Sequence, residues 1–145
     1  MDDKDKAAGE EIPASSPHHE SRLLFADLTD AIIGAAIEFH RHLGPGLLEA
    51  TYEDCLREEM RLRGVSFRSQ IELPVFYKGR ETDGRIRIDL IVADAVVVEL
   101  KAVERVMDVH RAQLLTYMRL TGKRVGLLIN FNVPALRDGI TRRVL

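Results

Sequence analysis

The sequence predicts an α/β protein whose elements follow the order ααβββαβ. Residues 28–43 and 47–63 repeat apolar side chains every three or four positions, which is typical of amphipathic helices. Residues 85–92 alternate apolar and polar side chains, whereas 96–102 and 125–131 are almost continuously apolar, as expected of strands. A chain of 145 residues with 46% hydrophobic residues can form one domain with a core of its own.

The first 20 residues differ in composition from the rest. They are rich in Asp, Glu, Ser, Pro and Ala and contain almost no large apolar residues. We therefore expect a disordered tail at residues 1–20 and a single domain at residues 21–145. The tail holds six acidic residues and two lysines, which leaves 19 basic and 17 acidic residues in the domain. This small positive charge neither requires nor excludes a polyanionic partner.

Other features limit the class of protein. Cys55 is the only cysteine, so an internal disulfide is impossible, and no Cys/His cluster suggests zinc. No apolar run approaches the ~20 residues that span a bilayer. The N-terminus lacks the apolar segment of a secretory signal. We expect a cytoplasmic protein without a membrane partner.

Two helices begin the predicted domain. Thr29 or Asp27 can cap the first helix and Gly44-Pro45-Gly46 ends it. Its buried stripe comprises Leu28, Ile32, Ala35, Ala36, Phe39 and Leu43. The stripe of the second helix comprises Leu48, Tyr52, Cys55, Leu56 and Met60. Glu49 lies in the first turn of this helix, and its spacing predicts that it leans toward the buried side.

Strands follow the two helices. Residues 65–77 are extended, with Pro74 favouring an edge strand or a bulge, and residues 78–84 are predicted to form a turn. Only residues 93–95 separate the alternating strand from the first apolar run, and Ala93-Asp94 is a plausible tight turn, which predicts a β-hairpin. The remaining predicted elements are an amphipathic helix, a strand covered on both faces and a short terminal strand, at Asp108–Leu120, 125–131 and 140–144.

The predicted hairpin brings charged residues together. Asp89 lies in its first strand, and Glu99 and Lys101 share one face of its second strand, because side chains alternate along a strand. Two neighbouring carboxylates repel each other unless a cation joins them. A hard divalent cation, Mg²⁺ or Mn²⁺, prefers such oxygen ligands. The alternative is that Glu99 and Lys101 form a solvated surface pair.

A cation at this position suits phosphodiester hydrolysis. It polarises a phosphoryl oxygen and lowers the pKa of bound water, and a neighbouring lysine can orient that water. Gln113 and Tyr117 can join the site because residues four apart share a helical face. Glu49 is a third acid. Each also has an ordinary structural explanation: Tyr117 in the core, Gln113 at its rim, and Glu49 in a first turn favoured by the helix dipole.

Taken together, these residues resemble a known superfamily. Asp89, Glu99-Leu100-Lys101 and Gln113-Leu114-Leu115-Thr116-Tyr117 match the D…(D/E)xK…QxxxY order of the PD-(D/E)XK nuclease superfamily, in its RecB-like exonuclease branch. Gly46-Leu47-Leu48-Glu49-Ala50-Thr51-Tyr52 matches the signature of the GxxExxY protein family. The resemblance covers about residues 23–145.

The resemblance implies a restriction-endonuclease-like fold, with a mixed central sheet flanked by helices. It implies that Asp89, Glu99 and the backbone carbonyl of Leu100 hold a divalent metal, Mg²⁺ or Mn²⁺ as its substitute. Glu49 would be an additional ligand. The protein would then be a metal-dependent nuclease that hydrolyses phosphodiester bonds of DNA.

The resemblance also implies roles for the remaining site residues. Lys101 would position the attacking water or stabilise the phosphorane, and Gln113 and Tyr117 would complete the catalytic site or contact the substrate backbone. RecB-like enzymes often carry a histidine ligand on a helix before the aspartate. His40 and His42 precede the first helix's terminal turn, and neither is assigned that role.

A second function stays open beside the nuclease: a nuclease-fold module that binds nucleic acid or a protein partner without cutting. Lys101 discriminates between them, because a binding module needs no lysine beside two carboxylates. A homodimer is compatible with so small a domain, and the sequence does not distinguish DNA from RNA. Basic residues that could contact phosphates are Arg85, Arg87, Arg105, Arg111, Lys123 and Arg124.

Overall fold

A computed structural model describes the backbone of residues 17–145 and the side chains of residues 25–145. The elements follow one another as α1 (Pro17–Leu43), α2 (Glu49–Leu62), β1 (Phe67–Tyr77), β2 (Arg80–Val92), β3 (Val96–Lys101), α3 (Asp108–Thr121), β4 (Val125–Asn130), a short 3₁₀ helix (Leu136–Gly139) and β5 (Ile140–Val144). None of these described helices is both long and apolar enough to cross a membrane.

The five strands form one mixed sheet in the order β1-β2-β3-β4-β5. β3 and β4 are parallel and the other neighbours are antiparallel. Parallel strands require a long crossover, which α3 provides. The predicted fold class, a mixed central sheet flanked by helices, is therefore confirmed. The predicted hairpin between β2 and β3 is also confirmed. Its turn comprises residues 93–95, in which Ala93 and Asp94 have left-handed φ angles of 50° and 53°.

Helices cover both faces of the sheet. The apolar stripes of α1 and α2 pack on one face and bury Ile32, Tyr52, Leu56, Val98 and Leu127, among others. We call this the first core. On the other face, α3 packs Leu114 and Met118 against Val97 and Leu128, which we call the second core. Because both faces are covered, all six residues of β4 are buried, as its apolar run predicts.

The β1–β2 ribbon changes faces near its middle. Phe67 packs against the first core and Ile71 against the second, although residues four apart lie on one face of a regular strand. In β2, Leu90 packs against the first core and Ile88 against the second, although residues two apart also lie on one face of a regular strand. Gln70 lies at this change with a left-handed φ of 50°. Beyond this point, the ribbon continues past the end of β3.

The first helix begins earlier than predicted. α1 begins at Pro17 and not at Leu28. Phe25 also packs against the first core, so the buried stripe extends upstream of the predicted start. Proline is well suited to a first helical position, where its missing N–H is not needed. Of the predicted tail, residues 1–16 lie outside the described residues and residues 17–20 belong to α1.

Two further local predictions are wrong, and one is confirmed. The predicted turn at residues 78–84 is confined to Lys78 and Gly79, because pairing of β1 with β2 continues to the tip of the ribbon. Leu43 and Leu48 were predicted to lie in buried stripes. Leu43, the last residue of α1, is 43% exposed, and Leu48, which precedes α2 in extended backbone, is 78% exposed. Pro74 does lie in an edge strand, beside a shift of register.

Candidate active site

Two carboxylates replace backbone pairing where β2 and β3 separate. Regular pairing of these strands covers Leu90↔Val98 to Val92↔Val96. At the next position, the backbone N–H of Asp89 donates to Glu99 Oε2 at 2.8 Å. The backbone N–H of Leu100 donates to Asp89 Oδ2, also at 2.8 Å. Each acid is therefore fixed by the other strand, and the predicted juxtaposition of Asp89 and Glu99 is present.

Burial makes these two charges unfavourable without a cation. Glu99 is only 3% exposed. Burial, followed by the neighbouring charge of Asp89, raises the pKa of Glu99 to about 8, against the lowering effects of the Asp89 N–H and of Lys101. Burial also raises the pKa of Asp89, while the Leu100 N–H and Lys101 lower it. Ionising both acids would therefore place negative charge where water solvates it poorly, so without a cation Glu99 favours its protonated form at neutral pH.

Lys101 ends β3 on the face covered by α3. Its Nζ donates to Gln113 Oε1 at 3.2 Å, and Gln113 Nε2 donates to the hydroxyl of Tyr117 at 3.1 Å. Gln113 and Tyr117 lie one turn apart on α3, as their spacing predicts. Lys101 forms no ion pair with a described carboxylate, although its charge lowers the pKa of Asp89 and Glu99. The ammonium is therefore oriented by an amide and is not neutralised by direct contact.

Glu49 approaches the same site from the start of α2. The residue as a whole is exposed, although its spacing predicts that it leans toward the buried side of the helix. Its carboxyl nevertheless lies near the site. Partial burial and Asp89 raise the pKa of Glu49, whereas Lys101 and the backbone N–H of Ala102 lower it. Glu49 thus interacts with the same residues as Glu99.

Tyr52 fixes the loop that presents Glu49. Its hydroxyl donates to the Gly44 carbonyl at 2.6 Å and accepts from the Leu47 N–H at 3.2 Å. Its ring stacks on Phe131, with centroids 4.5 Å apart and planes 8° apart. The Phe131 N–H in turn donates to the Lys101 carbonyl at 2.9 Å. Tyr52 therefore links the beginning of α2 to the end of β3.

Gln70 is a site residue that the sequence analysis missed. The register of β1 and β2 places it across from Asp89. Its Nε2 donates to Glu53 Oε1 at 2.6 Å, and its Oε1 accepts from Arg87 Nη1 at 3.2 Å. The Gln70 amide also lowers the pKa of Asp89 by hydrogen bonding. One side chain thus connects an acid of α2 with the central acid of the site.

Glu53 was missed too, although the sequence held a signal for it. It follows Glu49 by one helical turn, so the two acids share a face of α2. Glu53 is 9% exposed, and burial followed by Asp89 raises its pKa. A buried acid on the same helical face as a candidate ligand could have been proposed from spacing alone. Its partner Gln70 could not.

Asn130 fixes the backbone that follows Lys101. It ends β4 and is buried. Its Oδ1 accepts from the Val103 N–H at 3.0 Å and from the Asn132 N–H at 3.2 Å, and its Nδ2 donates to the Val103 carbonyl at 2.9 Å. The chain leaving β3 is therefore held to the chain leaving β4.

Oxygen atoms dominate the donor set at this site. In the part of the chain with described side chains, no group of three or more His, Cys, Asp or Glu is arranged to hold a metal ion. Asp89 and Glu99 supply two carboxylates. The Leu100 N–H points toward β2, and the C=O of a strand residue points to the same side as its N–H. Two carboxylates and a backbone carbonyl fit the preference of Mg²⁺ and Mn²⁺ for oxygen.

Comparison with known proteins gives one match. The family model described as the PD-(D/E)XK nuclease superfamily matches residues 26–143. Searches of the curated proteins and of the solved structures gave no significant match.

Proposed function

The chain belongs to the PD-(D/E)XK nuclease superfamily, and on this basis we propose that it is a metal-dependent nuclease that hydrolyses phosphodiester bonds of DNA. The observation that carries the proposal is the reciprocal bonding of Asp89 and Glu99, with Lys101 beside them. A buried carboxylate, a half-buried one and an oriented ammonium on one sheet edge are costly as structure alone, because burial penalises both acids.

In this proposal, Asp89, Glu99 and the Leu100 carbonyl hold a divalent cation, and Glu49 contributes through a bound water. An indirect contact through water agrees with the exposed position of Glu49. It also agrees with the finding that no three acidic side chains of the described chain are arranged to hold one metal ion. A bound Mg²⁺ or Mn²⁺ would polarise a phosphoryl oxygen and lower the pKa of the attacking water. The residues of the chain would hold the metal and orient the substrate and the attacking water.

Lys101 stabilises the negative charge that develops on the phosphate, or orients the attacking water. Its hydrogen bond to Gln113 fixes the ammonium before substrate arrives, and such preorganisation is a main source of rate enhancement. Tyr117 supports Gln113 from one turn away and offers its hydroxyl to the substrate backbone. A module that only binds nucleic acid has no use for the arrangement of Lys101, Gln113 and Tyr117. The arrangement therefore favours hydrolysis over binding without cutting.

Two finer assignments belong to the same proposal. We assign the chain to the GxxExxY family, because Tyr52 of that signature positions the helix that begins with Glu49. We place the protein in the cytoplasm, where the free thiol of Cys55 stays reduced.

Cleavage of labelled single- and double-stranded DNA in Mg²⁺ or Mn²⁺ tests the proposal. Lys101→Ala should lower the rate by about 100-fold or more, since removal of one preorganised donor has an effect of that order. Its thermal stability and Mn²⁺ affinity should stay close to wild type. Lys123→Ala is the matched control, because Lys123 pairs with Asp94 at the opposite edge of the sheet. Metal-dependent cleavage that survives in Lys101→Ala would contradict the proposed role.

A further inference from the structure

A cleft beside the candidate site has no role in the function proposed above. It lies between the C-terminal end of α1 and the segment that leads from β4 into the 3₁₀ helix, and its volume is about 470 Å³. Ile37 and Pro134 contribute apolar surface to it, above the buried side chain of Leu136. Arg41 and Arg137 line it as well, from segments far apart in the sequence. This volume lies within the range of small-ligand sites, about 300–1,000 Å³.

The charge of the cleft is positive and uncompensated. Arg41 and Arg137 are exposed, and neither has a hydrogen bond or ion pair with another described residue. None of the described residues that line the cleft is acidic. Asp138, which follows Arg137 in the chain, is not bonded to it. Many other arginines of the chain do form ion pairs, including Arg57, Arg61, Arg63, Arg85 and Arg111.

One of the two arginines has a local explanation. Arg41 lies in the last turn of α1, where a cation is favourable for the helix dipole. Arg137 lies in the 3₁₀ helix, and the dipole of α1 does not account for its presence in the same cleft. Two guanidinium groups beside an apolar surface suit a phosphate attached to a sugar or base, because guanidinium binds phosphate through paired N–H groups.

The cleft and the candidate active site share one edge of the sheet. β3 and β4 end there together, with Lys101 paired to Asn130. His40, in the cleft wall, donates from Nε2 to the Phe131 carbonyl at 2.9 Å. Phe131 in turn donates its N–H to the Lys101 carbonyl. A nucleic-acid strand cut beside Lys101 would cross this same edge.

We propose that the cleft binds one nucleotide of the nucleic-acid substrate away from the scissile bond, with Arg41 and Arg137 contacting its phosphate. The apolar surface of Ile37 and Pro134 then covers the sugar or base. This inference rests on the proposed nuclease function, because it names the surface along which that substrate is held.

Binding measured without cleavage tests the inference. Fluorescein-labelled single-stranded and duplex DNA are titrated by fluorescence anisotropy in EDTA, between about 50 and 200 mM salt. The proteins are wild type, Arg41→Ala, Arg137→Ala, the double variant and Arg119→Ala. Arg119 is the matched control: it is exposed, lies in the last turn of α3 and sits at the opposite edge of the sheet. Thermal unfolding of each variant verifies its fold.

The double variant should bind DNA about tenfold more weakly or worse at ~0.1 M salt. The slope of log affinity against log salt should fall by about 0.7 per arginine for single-stranded DNA, or about 0.9 for duplex. Arg119→Ala should match wild type. Wild-type affinity and slope in the double variant would overturn the inference.

The proposed function fails by a different result. If the double variant loses binding but wild type never cleaves any DNA in Mg²⁺ or Mn²⁺, the nuclease proposal falls while the phosphate cleft stands. If wild type cleaves DNA and the double variant binds as wild type does, only the cleft inference falls.

Discussion

The backbone N–H of Asp89 donates to the Glu99 carboxylate across 2.8 Å, one residue beyond the last paired position of β2 and β3. Reciprocally, the Asp89 carboxylate accepts a hydrogen bond from the N–H of Leu100, which follows Glu99 in β3. The separation of the two strands is therefore filled by acids, which are held in place by backbone groups. Glu99 is buried and Asp89 beside it is half-buried, so the stability of the metal-free protein should depend on pH.

The first prediction concerns pH. The pKa of Glu99 is about 8 in the folded protein and near 4.5 in an unfolded chain. Between these pH values the folded state binds more protons at Glu99 than the unfolded state does, so the free energy of unfolding should fall as pH rises from 4.5 to about 8. Urea unfolding in EDTA at several pH values measures this fall.

Glu99→Gln should reduce that pH dependence, because its side-chain carbonyl can still accept from the Asp89 N–H but cannot ionise. Some dependence should remain, since burial also raises the pKa of Glu49, Glu53 and Asp89. Glu58→Gln, an exposed glutamate of α2, serves as control. An unchanged pH dependence in Glu99→Gln would show that Glu99 is ordinarily ionised in the fold.

The second prediction concerns Tyr52. Tyr52→Phe keeps the ring stacked on Phe131 but removes the hydroxyl that bonds Gly44 and Leu47. Leaving those backbone groups without a partner should lower the free energy of unfolding by about 1–3 kcal/mol. The nuclease rate should fall as well, because the loop before Glu49 loses its anchor. Denaturant unfolding and cleavage assays measure the two effects.

Tyr77→Phe provides the comparison for Tyr52. Tyr77 is exposed at the tip of the β1–β2 ribbon, and its hydroxyl bonds to none of the described residues. Its substitution should change neither stability nor rate. Equal effects of the two substitutions would mean that the Tyr52 hydroxyl does not hold the loop.

The third prediction concerns Gln70. Gln70→Gly removes the amide that contacts Glu53 and Asp89 but tolerates the left-handed backbone, for which glycine is well suited. Loss of a side chain that orients a metal ligand commonly lowers metal affinity about 10- to 100-fold. Calorimetric titration with Mn²⁺ should show such a decrease.

Lys78→Gly controls for the backbone in this experiment. Lys78 has a left-handed φ of 49°, close to the 50° of Gln70, but lies in the turn at the tip of the ribbon. The Lys78→Gly variant should bind Mn²⁺ with the same affinity as wild type. If both variants lose affinity equally, the cause is a change in the ribbon and not the missing amide.

Local patterns allowed much of the site to be predicted. Asp89, Glu99 and Lys101 lie in one hairpin, whose register follows from alternation and a short turn. Gln113 and Tyr117 are related by a single helical turn. In each case the residues are close in sequence or joined by a short connection. Their proximity therefore depends on secondary structure more than on tertiary packing.

Tertiary packing determines what could not be predicted. Gln70 reaches Asp89 because one strand residue adopts a left-handed conformation, which no residue pattern indicated. Arg41 and Arg137 meet only because α1 packs against the segment after β4. Asn130 was interpreted as part of an apolar strand, and its bonds to Val103 depend on parallel strands ending together.

Calorimetric titration of Mn²⁺ into wild type and Asp89→Asn, with DNA cleavage assayed in the same samples, tests the central claim most directly. Asp94→Asn is the control, because Asp94 is an exposed acid in the turn at the other end of the hairpin. The account predicts Mn²⁺ binding and metal-dependent cleavage in wild type and Asp94→Asn, and the loss of both in Asp89→Asn. Equal Mn²⁺ binding by wild type and Asp89→Asn would contradict it.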